Sequence, residues 1–365
     1  MPGTCFRREE LHLKIQSSTL AAVISAFLFL SPLVALAQQT NDSTRLPLGR
    51  LVDIGGYRLH INSTGKGSPT IVLIAGSGDF SFDWSLVQSA VSRFARVCSY
   101  DRAGLAWSDH GPTPRTMRQD AYELHTLLTN ARLKPPYILV GHSIGGLIAR
   151  VYAEQYPKEV VGMVLVDSTH EDTKLMYQGK IVRVRDNAKG ITIPSIQTMT
   201  SSPPKPPTAD DIKQAAFNQQ MFGPPKIEPP FDKLPLAIRN VRLWALSNPK
   251  LSAATDDFWA EELREMYVSR TKTTYPLGGM PLVVIRASEK DRSAPPDGVS
   301  AEEWKQMGEE RKQQAKDLAS LSRNNKLIVA EQSGHHVQLD DPNLVVRAIR
   351  QVAASARHYH AKLAP

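Results

Sequence analysis

Between residues 70 and 170, short apolar runs alternate with stretches whose apolar positions recur every three to four residues. Thr70–Ala75 (TIVLIA), Val97–Tyr100, Tyr137–Val140 and Val161–Val166 are runs with little polar interruption, and Leu282–Ala287 and Leu327–Ala330 repeat the pattern later. Runs of this length, rich in Val and Ile, read as strands buried on both faces. The helix-period stretches fall between them, at Phe82–Phe94, Met117–Ala131, Gly146–Gln155 and Pro342–Ala356. Residues 49–63 alternate around Gly55-Gly56, which predicts a hairpin at the start. Strands that alternate with helices predict an α/β fold with a doubly wound, mostly parallel sheet.

The rhythm breaks between Asp167 and Leu282, which are more than a hundred residues apart. Nine of the chain's 26 prolines lie between Pro203 and Pro235, and proline disrupts helix interiors and central strands alike. The pattern predicts an inserted, largely helical cap over 168–280 with a Pro-rich excursion that forms no regular helix. A helix-like piece is expected at Asp256–Tyr267. The core then comprises 49–167 and 281–365. Met176, Met199, Phe222, Phe258 and Trp259 either line a pocket for an apolar acyl or alcohol group or form the cap's own core.

Composition changes this picture little. The 365-residue chain is 41% hydrophobic and 22% charged, which is ordinary for a globular protein. Its net charge of +8 is spread without a run of five basic residues, so nucleic acid is not an expected partner. Charge-driven binding to an anionic membrane surface is a weaker alternative role. The N-terminus does change the picture. Arg7, Arg8 and Lys14 precede QSSTLAAVISAFLFLSPLVALAQQ, which contains Ala35-Leu36-Ala37. A basic segment, an apolar segment and a small-x-small site form a secretory signal. The expected layout is a signal peptide over 1–37 cut after Ala37, a leader over 38–48, and a secreted or periplasmic protein. An uncleaved membrane anchor is the alternative. Cys5 would leave with the signal, so the mature chain would hold one thiol, Cys98, read as buried packing.

The candidate chemistry starts at residues 137–147, YILVGHSIGGL. A strand runs into Gly141-His142-Ser143-Ile144-Gly145, and a helix follows. Glycine on both sides of one serine suits a sharp strand-to-helix turn that lifts the serine clear of the sheet, with backbones too close for side chains. A serine at a helix N-terminus also sits where a developing negative charge is stabilised. It needs a base to take its proton. Residues 327–342, LIVAEQSGHHVQLDDP, place His335 and His336 on a short loop after the last strand, within reach of the C-terminal edge of the sheet. His335 is preferred and His336 competes with it. His142, adjacent to the serine, is read as a supporting or pocket residue. A histidine acting as base needs a carboxylate to orient it. Asp291, in LVVIRASEKDR, fits the order nucleophile, acid, base; Asp167 is the alternative acid and Glu289 a further rival. Oxyanion donors are expected at the backbone N–H of Ile144 and of Ser77, in Gly76-Ser77-Gly78-Asp79. The scheme needs no metal or organic cofactor.

These motifs resemble the α/β-hydrolase superfamily, in its large fold-1 branch. AGSGDFSFDW is similar to the family's oxyanion loop, with Ala75 where a histidine is usual. YDRAGLAWSD looks like its D-R-x-G-x-G-x-S turn, with Ala106 in place of a glycine. SGHHVQLDDP resembles its final G-H-x-x-x-x-D/E-x-P, in which the histidine after glycine is the base, and this favours His335. The resemblance covers about residues 50–170 and 280–355. It implies that Asp101 and Arg102 are scaffold, and that a serine at the turn argues against the epoxide hydrolases and haloalkane dehalogenases of the family, which use aspartate there. The expected activity is carboxylic-ester hydrolysis on a small-molecule substrate. Amidase, peptidase, lactonase and cofactor-free peroxidase activities, or a non-catalytic binding role, are the alternatives.

Overall fold

A computed structural model describes residues 46–177, 180–248, 251, 259–288, 295 and 298–363. The predicted signal and most of the leader lie outside these residues. Among the described residues one sheet contains β1 (Arg50–Asp53), β2 (Arg58–Thr64), β3 (Thr70–Ile74), β4 (Val97–Tyr100), β5 (Tyr137–His142), β6 (Val160–Val166), β9 (Leu282–Ala287) and β10 (Asn325–Ala330). Their order is β1-β2-β4-β3-β5-β6-β9-β10. The β1–β2 hairpin is antiparallel and continues antiparallel onto β4. From β4 to β10 every pairing is parallel, so the C-terminal ends of β3, β5, β6, β9 and β10 share one edge.

The period-two alternation along the strands sends side chains to two separate cores. Val72, Ile74, Leu139, Met163, Leu165 and Val284 meet α2 (Met117–Asn130) and α3 (Ile144–Gln155) through Leu124, Leu127, Leu147 and Ile148. Ile71, Leu73, Ile138, Val140, Val164 and Ile285 meet α1 (Ser85–Val91) and the C-terminal helix α9 (Pro342–Leu363) through Val87, Val91, Val345 and Ile349. Each fully buried Leu, Ile or Val is worth ~1.5–3 kcal/mol, so these two layers supply most of the folding drive. Cys98 is buried in β4, and burial pushes its thiol up to about 12, which keeps it protonated and inert.

Several expectations need correction. The helix expected over Phe82–Phe94 is a 3₁₀ turn at Ser81–Trp84 followed by the short α1. There the Asp83 carboxylate accepts from the Phe80 N–H at 2.9 Å, which tightens the first turn. The Pro-rich stretch does contain a regular helix, α5 (Ala209–Phe222), because residues 208–222 are free of proline and Thr208 and Asp211 form a capping box. A 19-residue helix between β9 and β10, α8 (Ala301–Ala319), went unrecognised in the sequence. Its apolar content is low, although Ser300 and Glu303 form the capping box that marks its start.

The segment between β6 and β9 holds a hairpin of β7 (Lys174–Tyr177) and β8 (Lys180–Arg183), then α4 (Ile196–Ser201), α5, α6 (Leu236–Leu246) and α7 (Trp259–Thr271). It is anchored to the core at a few points. Val241 and Ala245 of α6 bury against Phe80, Phe82, Leu105 and Trp107. From α7, Glu262 accepts the Met117 and Arg118 N–H groups at 2.7 and 3.0 Å, supplying acceptors to the open N-terminus of α2. Among the described residues no helix is long and apolar enough to cross a membrane.

Candidate active site

Ser143 sits between the end of β5 and the start of α3 with φ 52° and ψ −124°, a conformation that side-chain-bearing residues avoid. The glycines around it permit this. A Cβ on Gly141 would lie 2.4 Å from the Gly145 carbonyl oxygen, and one on Gly145 would lie 2.3 Å from that of Ile74. Strand and helix therefore pass at backbone contact, and the serine is held by hydrogen bonds on both sides. Its N–H donates to Val166 O at 3.2 Å, and its carbonyl accepts from Thr169 N at 3.0 Å. The Ser143 hydroxyl approaches that of Thr169 at 3.5 Å.

His335 follows the last strand, as expected. Its Nδ1 lies 2.7 Å from Asp167 Oδ2. Asp167 is locked in turn: its Oδ1 accepts from Ala287 N at 2.8 Å and its N–H donates to Ile285 O at 2.7 Å, both on β9. The carboxylate on the histidine is thus that of Asp167, at the tip of β6. Asp291, the acid favoured by chain order, and Glu289 lie outside the described residues. Ser143, Asp167 and His335 line one cavity of about 330 Å³, whose walls include Leu175, Val284, Trp304, Met307 and Leu318.

The other histidines separate by geometry. His336 turns away toward Asp79, 3.3 Å from Nε2 to Oδ1, and Phe231 packs edge-on against its ring. His170 also lines the cavity, but its Nδ1 accepts from Asp172 N at 3.0 Å and its Nε2 lies 2.6 Å from Arg270 Nη1, so the ring is turned to structural partners. Burial, with Arg150 and Arg270 nearby, pushes it down to about 4, so it stays uncharged. His142 is 1% exposed and lies beneath the loop rather than in the cavity wall.

Both expected oxyanion donors stand at this edge. Ile144 opens α3, so its N–H is among those with no acceptor one turn back. The loop carrying Ser77 is set by Arg102, which donates to Ala75 O at 2.7 Å and Gly76 O at 3.1 Å. In a trans peptide the N–H points opposite the carbonyl, so fixing the Gly76 carbonyl on Arg102 turns the Ser77 N–H to the other side. Arg102 is scaffold, as the resemblance implied, but scaffold for this loop in particular.

The expected apolar pocket residues fare differently. Met199 is 1% exposed and its sulfur accepts from the Thr116 hydroxyl at the start of α2, so it belongs to packing. Phe222 is 82% exposed, at the end of α5, and is not part of this cavity's wall. Phe258, and the side chains of Met176 and Trp259, lie outside the description. The wall that sequence reading missed is Trp304, Met307 and Leu318 of α8, and the Ser300-x-x-Glu303 capping signal could have revealed it.

Comparison with known proteins agrees with this architecture. The model of the alpha/beta hydrolase family matches residues 71–348. An AB hydrolase superfamily protein of Gibberella zeae is 25% identical over 307 residues, 79% of this chain and 87% of that one. The probable transporter efuK of Hormonema carpetanum is 38% identical over 131 residues, so the match spans 34% of this chain and only 19% of the relative. Among solved structures, a thermophilic esterase from Thermogutta terrifontis superposes with a TM-score of 0.53 at 20% identity, covering 84% of this chain and 99% of that one. At that identity the likeness is one of fold.

Proposed function

This chain belongs to the alpha/beta hydrolase family, and from that premise we propose that it is a serine hydrolase acting on carboxylic esters through an acyl-enzyme. The observation that carries the proposal is Ser143, held at positive φ on a helix N-terminus, opening into the same cavity as the His335–Asp167 pair. In this reading His335 takes the Ser143 proton as the hydroxyl attacks the acyl carbonyl, then passes it to the leaving alcohol. Asp167 takes the orienting role: its carboxylate accepts from Nδ1 and leaves Nε2 to work as the base. The Ile144 and Ser77 N–H groups receive the oxyanion, each worth about 3 kcal/mol in the transition state. Water then attacks the acyl-enzyme, with His335 as base a second time.

Apolar walls from α8 and β9 favour an uncharged acyl or alcohol group of moderate size in the 330 Å³ cavity. Export through the N-terminal segment, with cleavage after Ala37, is part of the same proposal, and the mass of the mature N-terminus tests it. The catalytic proposal is tested by turnover of chromogenic esters of graded acyl length, wild type against Ser143→Ala. Loss of roughly 10⁴–10⁶-fold in kcat is expected. Undiminished turnover by the variant, or turnover of amides or peptides in place of esters, contradicts it.

A further inference from the structure

Behind the cavity lies a buried cluster that the reaction above leaves unused. His142 places Nε2 at 3.0 Å from the carbonyl oxygen of His335 and Nδ1 at 2.9 Å from Asp79 Oδ2. A carbonyl oxygen only accepts, so Nε2 carries a proton and donates it. The Nδ1 contact then needs a second proton shared between the ring and Asp79: burial holds His142 below the usual imidazole range, while the hydrogen bond to Asp79 works the other way. Asp79 is surrounded by donors: His142 on one oxygen, and His336 Nε2 at 3.3 Å and Arg242 Nη2 at 3.9 Å on the other. Burial raises its carboxyl, but hydrogen bonds from His142 and His336 overcome this and hold it well below the usual carboxylate range.

Asp79 lies on the oxyanion loop, three residues after Gly76; His142 immediately precedes the nucleophile; His335 heads the loop after β10. A single side chain therefore ties together the three loops that must register with one another. A Cβ on Gly76 would lie 2.9 Å from His142 Nδ1, so the loop closes directly over the ring. We infer that His142 is a positioning residue for the base: gripped by Asp79, it donates to the His335 carbonyl and thereby aims the His335 imidazole. The inference rests on the reading of Ser143 and His335 as nucleophile and base. Asp79, His142 and His336 also bring their ligand atoms within 4.8 Å of one another, a His₂-carboxylate set that suits a transition metal. The guanidinium of Arg242 beside Asp79 opposes a further cation there, and Nε2 of His142 is spent on the carbonyl.

Two amide variants of the full chain separate the contacts. Asn at 142 places its amide near the Nδ1 position and reaches Asp79 alone; Gln places it near the Nε2 position and reaches the His335 carbonyl. His142→Asn is expected to lower kcat roughly 10–100-fold, the cost of a reacting group displaced by about 1 Å, with KM little changed. His142→Gln is expected to recover most of that loss. Ser143→Ala is run alongside: if it stays active, the reading of the site fails. If it is inactive while His142→Asn matches wild type, or while Asn and Gln lose kcat equally, the positioning role is overturned. Loss of wild-type activity to a chelator with recovery on added zinc would overturn it in favour of a metal site. Should neither variant fold, ¹⁵N spectra of the histidine rings in the wild type decide. A proton on His142 Nε2 is expected, and a bare Nε2 contradicts the inference.

Discussion

The elbow around Ser143 and the segment between β6 and β9 meet the same solvent-facing edge in opposite ways. At the elbow the backbone is tightly packed: two glycines stand where a Cβ would lie within 2.5 Å of backbone, and the Ser143 amide and carbonyl are both bonded. The segment rests on the core through a few anchors, chiefly Val241, Ala245, Arg242 and Glu262, while Ile212, Phe217, Met221 and Phe222 of α5 stay exposed. The difference teaches where each property of the molecule resides. Reactive geometry is fixed by backbone packing at the end of a sheet, which tolerates almost no substitution. The covering segment is held by separable contacts, and away from Thr169, Leu175, Phe231 and Arg242, which touch the site, it has more room to vary.

The largest expected effect lies at the rigid side. Asp167→Asn should cost roughly 10³–10⁴-fold in kcat, since an amide at that position can hold the wrong tautomer of His335. Asp291→Asn should stay within a few-fold of wild type. Equal losses in the two variants would return the acid role to Asp291. Gly145→Ala forces a methyl against the Ile74 carbonyl and should destabilise the fold by roughly 3–5 kcal/mol in denaturant titrations; an unchanged midpoint would mean that α3 can lift from the sheet.

The anchors of the covering segment come next. Burial pushes Glu262 up to about 7, against the two backbone N–H groups that favour its ionised form. A carboxyl whose folded value lies above its unfolded 4.5 contributes most below pH 4.5 and loses that contribution as pH rises through 7. Up to roughly 3 kcal/mol is at stake, and Glu262→Gln should flatten stability over that window. A slope unchanged in the variant assigns it to other groups. The smallest effect is expected at Phe222→Ala, within about 0.5 kcal/mol in stability and with no change in kcat/KM. A clear change in either would show that α5 contacts substrate or core after all.

The same contrast explains what could be read from the sequence. The strands and the elbow were legible because continuous apolar runs and a glycine-flanked serine each have one economical structural solution. His335 was legible because its loop follows a recognisable strand. The acid is harder to read, since Asp167 and Asp291 each follow a strand, β6 and β9, that are neighbours in the sheet. The tertiary lock of Asp167 on Ala287 and Ile285 supports its proposed role, and Asp291 lies outside the described residues. The amphipathic pattern of α8 was masked by its charged residues. The covering segment gave prolines and scattered aromatics, which say where regular structure stops but not which side chains face inward. The role inferred for His142 rests on a buried proton count, and no linear pattern carries that.

Everything proposed for the site depends on Ser143 being a nucleophile activated by His335. The most direct test of this is a fluorophosphonate reagent followed by peptide mass mapping, on wild type and His335→Ala. One adduct is expected, on the peptide carrying Ser143, forming orders of magnitude more slowly in the variant. An active enzyme that takes no label at Ser143, or labelling that is indifferent to His335, would contradict it.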